Sequence, residues 1–186
     1  RMQKKLRGSC AFAALLISAN FVYSPALADP RAKVAIDVDR ETIDYIKGAI
    51  GETSSRPQSA YEARRSGEVA AEYAQEALRS LGYYQSNITM EMNDDEVTYP
   101  TLKIDQGTQF KIKDPDIEWL ETPPDAATRL DSLKAIGLNN GDAGRADFVI
   151  AGESRALGKV LDDGYADATL GQRRVIVDHA DYSVHP

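Results

Sequence analysis

Three groups of neighbouring carboxylates have the residue type and spacing for chemistry: Asp94-Asp95-Glu96, Asp114 with Asp116, and Asp162-Asp163. Two carboxylates can hydrolyse a glycosidic bond when they flank a cleft about 5 to 9.5 Å apart and one keeps its proton near neutral pH. Each of these groups falls on a predicted turn or helix end, where solvated acids are an ordinary feature of an acidic surface. No Asp-x-Asp-x-Asp-Gly calcium loop occurs. His179 and His185 stand near the C-terminus without a cysteine partner, short of the ~4 ligands of a closed metal site. No Gly-x-Ser-x-Gly elbow, Walker loop or Rossmann glycine fingerprint is present. The expectation is a non-enzyme with no catalytic residue, no metal and no cofactor. A small hydrolase using a carboxylate pair is the rival reading, and Asp94, Asp95 and Glu96 would be its centre. Tyr83, Tyr84 and Tyr165 offer aromatic surface, although rings that follow a helix end more often plug the gap between helix and sheet.

The elements that position these residues repeat. Leu78-Arg79-Ser80-Leu81-Gly82-Tyr83-Tyr84 returns as Val160-Leu161-Asp162-Asp163-Gly164-Tyr165-Ala166, with the two glycines 82 positions apart. So long a period means repeated domains. In the first copy, Lys33 to Val38 reads as a strand, and Asp39 is the expected N-cap for a helix from Glu41 to Ala49. Val69, Ala70, Tyr73, Ala74, Ala77, Leu78 and Leu81 form one helical stripe that Gly82 ends. Ile88, Met90 and Met92, then Leu102 and Ile104, alternate with polar residues as two strands around the turn Asn93 to Glu96.

In the second copy, Phe110, Ile112, Ile117 and Trp119 suggest a strand interrupted near Pro115, and Pro124 or a neighbour opens a helix carrying Leu130, Leu133 and Ile136. The next helix carries Val149, Ala156, Leu157, Val160 and Leu161, with Gly152 and Gly158 each weakening it by about 1 kcal/mol relative to alanine. A hairpin of Ala168 and Leu170 with Val175 and Val177 closes the copy, followed by Tyr182 and Val184. The fold class expected is α+β: two tandem βααββ domains, each a three-stranded mixed sheet with two helices on one face.

Lys4, Lys5 and Arg7, the apolar run Cys10 to Val22, and Ala26-Leu27-Ala28 have the order of a secretory signal peptide over residues 1–28, with cleavage between Ala28 and Asp29. The apolar run is too short to cross a hydrocarbon core of about 30 Å as a helix. The domains then cover 29–107 and 108–186. Of 22 basic residues, Arg1, Lys4, Lys5 and Arg7 lie in the leader; the remaining 18 face 29 acids, a formal charge of −11. Such a surface disfavours nucleic acid and anionic lipid. Beyond the leader there is no cysteine, which suits export to an oxidising compartment.

The succession helix, Leu-x-x-x-Gly-Tyr, strand, turn, strand resembles the polypeptide-transport-associated (POTRA) domains of outer-membrane insertases, most closely the TamA branch of the BamA/TamA superfamily. In the second copy the resemblance rests on Gly137-Leu138, Gly141-Asp142, Ala151-Gly152-Glu153, Leu161, Gly164-Tyr165-Ala166-Asp167-Ala168 and Arg174 to Ala180. It implies an exported arm on the periplasmic face of a Gram-negative outer membrane, unfolded outer-membrane or autotransporter clients, and a TamB-like inner-membrane partner. It also implies a third POTRA domain and a membrane barrel, so the chain is expected to be the N-terminal part of a longer protein. The POTRA region of BamA or of a two-partner secretion transporter is the neighbouring reading. Gly82, Tyr83, Gly164 and Tyr165 are the structural motif. Borrowing the family's strand order, Gln85, Asn87, Thr89 and Glu91 mark the edge on which a client strand would add.

Overall fold

The computed structural model describes residues 29–53, 55–92 and 98–186. The proposed leader with Ala28, and the turn holding Asp94, Asp95 and Glu96, lie outside the described residues.

In the first unit, β1 (Asp29–Pro30) pairs antiparallel with β3 (Glu52–Thr53), beside a βααββ core. That core comprises β2 (Lys33–Ala35), α1 (Arg40–Ile50), α2 (Ala60–Ser80), β4 (Asn87–Glu91) and β5 (Thr101–Asp105). Helix α1 starts where Asp39, in extended backbone, accepts the Thr42 N–H at 2.9 Å, and ends at Gly51 with φ of 73°. The Ser59 hydroxyl caps α2 by accepting the Glu62 N–H at 3.2 Å, while the Glu62 carboxylate accepts the Gln58 N–H at 2.8 Å. The Thr42 and Glu62 bonds satisfy first-turn donors that have no partner within their helices, while the Gln58 bond fixes the residue before the cap.

The inner face of α2 is built from Ala63, Gly67, Ala70, Ala74, Ala77 and Leu78, so it begins before Val69, the expected start. Small residues bring the helix close to the sheet: a Cβ on Gly67 would stand 2.8 Å from Pro100 Cγ. Tyr73, expected on that stripe, is instead exposed, with the Arg31 guanidinium 5.8 Å from its ring centroid. In the sheet, β5 is central, β2 parallel to it and β4 antiparallel. Leu102, Ile104, Ile88 and Met90 meet the helices, with Ile46, Ile50 and Leu78 enclosed between the layers. The first strand stops at Ala35, short of Val38, and Met92 falls just beyond β4.

The second unit repeats the order with β6 (Lys111–Ile112), α3 (Ala126–Ile136), α4 (Ala146–Asp162), β7 (Ile176–Asp178) and β8 (Ser183–His185). Here β8 is central, β6 parallel and β7 antiparallel, the same path as in the first unit. Ile117 and Trp119 lie outside the ladder, because the strand ends where Asp114 takes a φ of 48° just before Pro115. Asn140 holds that turn by accepting the Asp114 N–H at 2.7 Å.

The hairpin is displaced from the expected one. Ala168 and Leu170 belong to no strand, and Val177 pairs with Val184 across a turn in which Asp178 accepts the Ala180 N–H at 2.8 Å. Helix α3 starts after Asp125, which accepts the N–H groups of Ala127 and Thr128, so Pro124 precedes the cap and does not sit in the first turn. Its buried face is Thr128, Ser132 and Ile136, whereas Leu130 and Leu133 are 55% and 40% exposed. The polar pair is buried without loss of hydrogen bonds: the Ser132 hydroxyl donates to the Thr128 carbonyl at 2.6 Å, and the Thr128 hydroxyl donates to Asp125. Helix α4 buries Val149, Gly152, Ala156 and Val160, leaving Leu161 exposed.

Candidate interaction edge and module junction

The ladder phase decides which backbone groups the first sheet offers to a partner. Lys33 N–H donates to the Pro100 carbonyl at 2.8 Å. With Lys33 opposite Thr101 in register, the even-numbered residues of β5 bond to β2 and the odd-numbered ones to β4. Asn87, Thr89 and Glu91, opposite Asp105, Lys103 and Thr101, therefore spend their backbone groups on β5. The N–H and C=O groups of Ile88 and Met90 point away from the sheet, along an edge to which no described strand is paired. Five residues long, this is the longest such edge among the described residues; β2 and β7 have three each. The outer edge of β6 is closed, because Ile112 N–H donates to Asp142 and Gly141 N–H donates to Ile112.

The side chains of Asn87, Thr89 and Glu91 are exposed on the open face of the sheet, where Glu91 lies 2.6 Å from Lys103. A shallow, open groove there, lined by Ala35, Ile36 and Ile104 as well as Asn87, Thr89 and Lys103, has a volume of about 490 Å³. Gln85 stands apart from its three companions. It lies in the turn before β4, and its side-chain amide reaches the second unit, within 3.3 Å of His179 Nδ1.

The four motif residues occupy equivalent places. Gly82 and Gly164 have φ of 90° and 100°, the left-handed region in which a side chain would be strained. Tyr83 N–H donates to the Leu78 carbonyl and Tyr165 N–H to the Val160 carbonyl; Gly82 and Gly164 donate to Arg79 and Leu161. Both helices thus end in the same paired-bond stop. Tyr83 packs on the first core, and Tyr165 bonds through its hydroxyl to Asp125. Tyr84 crosses over: its ring packs with the second unit's core, its centroid 5.2 Å from that of Phe110. Neither helical nor strand periodicity marks this residue, and only its place beside the glycine stop could have drawn attention to it.

Among the described residues, Asp114 and Asp163 each sit with a partner of their own and not with a second carboxylate. Asp163 lies 2.5 Å from Lys159, which pulls its pKa below the ordinary value, the wrong direction for a proton donor. The Asp114 carboxylate accepts from the Asn140 amide at 3.3 Å. Hydrogen bonds from Thr128 and Tyr165 lower Asp125 to about 2. No cluster of three potential metal ligands exists among the described residues, and no described helix is long and apolar enough to cross a membrane. Asp29 is held by Thr53 across the β1–β3 pair and by the Tyr99 hydroxyl at 2.8 Å.

Residues 38–105 match the family described as POTRA domain, TamA domain 1. No curated protein matches the chain.

Proposed function

We propose that this chain, in which residues 38–105 are a TamA-type POTRA domain, is the periplasmic arm of an outer-membrane assembly factor. POTRA domains are interaction scaffolds, and a role in outer-membrane assembly follows from the family; the remaining assignments are our reading of the residues. The first domain extends over 29–107 and a second domain of the same kind over 108–186. Residues 1–28 direct export and are removed between Ala28 and Asp29. The arm receives unfolded autotransporter or other β-barrel segments and meets a TamB-like inner-membrane partner.

The observation that carries this reading is the edge of β4 to which no described strand is paired. An extended client adding there gains backbone hydrogen bonds with little demand on its sequence, which suits a factor handling many barrel strands. The open groove beside the edge, with both polar and apolar lining, leaves room for the alternate side chains of such a guest.

A peptide copied from an autotransporter barrel strand, titrated into the labelled protein, tests the assignment. Its binding should shift the amide resonances of Ile88 and Met90 and slow their exchange with solvent. Saturating peptide that leaves both amides unchanged would remove β4 as the docking strand.

A further inference from the structure

The two hydrophobic cores are unequal. Nine buried residues form one cluster in the first, whereas the cluster on the second sheet has four, Phe110, Ile112, Val149 and Val184, with Ile136, Ala156 and Val160 buried on the helices beside it. So small a cluster leaves little margin, and each ring packed against it counts for more. One of those rings comes from the other unit. Tyr84 belongs in sequence to the first, between α2 and β4, yet its ring lies against Phe110 in the second. Phe110, fully enclosed, is also edge-on to His179 at 5.3 Å and Tyr182 at 5.4 Å, so Tyr84 supplies one of three aromatic neighbours.

The backbone holds this arrangement in place. Phe110 N–H donates to the Gly82 carbonyl and the Phe110 carbonyl accepts from Gly144 N–H, each at 2.8 Å. Gln109 donates its side-chain amide to the Leu81 carbonyl at 3.0 Å. Two glycines allow the approach: a Cβ on Gly82 would stand 3.1 Å from the Gly144 carbonyl oxygen, and one on Gly144 would stand 2.7 Å from Val184 Cγ2. Burial raises the Tyr84 phenol pKa above its ordinary value, in keeping with a ring seated in protein.

We infer that the first unit completes the core of the second through Tyr84, so that the second depends on the first for its stability and not the reverse. The Leu81–Tyr84 segment is then both the end of one unit's helix and a wall of the next, and it fixes the angle between them.

Hydrogen exchange on the full chain tests the direction of dependence. In Tyr84→Ala, protection of the Ile112 and Lys113 amides should fall by about tenfold or more, while the Thr89 and Lys103 amides change by less than about twofold. Tyr84→Phe keeps the ring and should keep both sets within about twofold of the parent. Tyr84→Leu, which fills part of the space, should give an intermediate loss confined to the second unit. Equal loss in both ladders, loss confined to the first, or no loss at Ile112 and Lys113 would each overturn the inference.

Discussion

The Tyr165 hydroxyl donates to the Asp125 carboxylate and accepts the Asp125 backbone N–H, both at 3.0 Å, so the end of α4 is tied to the cap of α3. Residues 40 positions apart thereby hold the two helices of the second unit at one end. At the other end, Arg155 donates to the carbonyls of Ala135 and Ile136, satisfying acceptors that α3 leaves open.

Acid should loosen the first of these ties. Thr128 and Tyr165 hold the Asp125 carboxylate at about 2, below its usual 3.8. A folded-state pKa that is depressed gives stability that is present above the unfolded value and fades as pH falls through the folded one. Asp125→Asn should therefore melt below the parent by a constant margin near neutral pH, and that margin should narrow between about pH 4 and about pH 2. Tyr165→Phe removes one donor and should move the Asp125 titration upward. Thermal melts across pH and carboxyl-carbon titration read the two effects. A margin that stays constant down to about pH 2 would show that the charge is not held by these bonds.

Proline along β4 should separate the two sides of that strand. Thr89→Pro removes a ladder N–H facing Lys103 and should lower stability by about 1–3 kcal/mol, seen as a lower denaturant midpoint. Thr89→Lys changes only the open face and should stay within about 0.5 kcal/mol of the parent. Loss of client binding by proline at Asn87 or Thr89 would thus report a broken sheet, so the edge itself must be read at Ile88 and Met90.

Much of this architecture is legible in the residues. Asp39 caps α1, Gly82 and Gly164 stop α2 and α4, and the alternation at Ile88, Met90, Leu102 and Ile104 marks one buried face, because each is a local rule with a local cause. The hairpin at Val177 and Val184 lies away from its expected place because alternation over so few residues fits more than one register. Helix α3 departs from expectation for another reason. Its inward face is set by how closely it lies against α4, which favours Thr128 and Ser132 over the leucines. The role of Tyr84 is hidden in the sequence because the core it serves belongs to the other unit, and no periodicity within its own segment encodes that contact. Asn87, Thr89 and Glu91 are legible as outward side chains, but the phase of the hydrogen bonds requires the β2 register.

The charge of the segment after residue 28 predicts how it behaves at a lipid surface. Eighteen basic residues stand against 29 acids in that segment, which should keep it off anionic membranes at physiological salt, where repulsion still acts over about 8 Å. In flotation with anionic vesicles the 29–186 segment should remain in the unbound fraction. Flotation with the vesicles would mean that apolar residues left outside, Leu120, Leu130 and Leu170 among them, outweigh the charge.

Two glycines of α4, equivalent by helix propensity, should respond to alanine with opposite signs. A methyl group added at Gly158 would meet nothing within 4 Å, so Gly158→Ala adds helix preference without a clash and should stabilise by about 0.5–1 kcal/mol. Gly152 faces α3, and a Cβ there would stand 3.0 Å from the Ile136 carbonyl oxygen and 3.2 Å from Ile136 Cγ2. A carbonyl fixed in a helix end yields less readily than a side chain, so overpacking of about 1–3 kcal/mol should exceed the gain in propensity. Gly152→Ala should then lower the melting temperature while Gly158→Ala raises it. Equal stabilisation by both would show that α3 and α4 are not in close contact at Gly152, and with that contact would go the explanation for the buried Thr128 and Ser132.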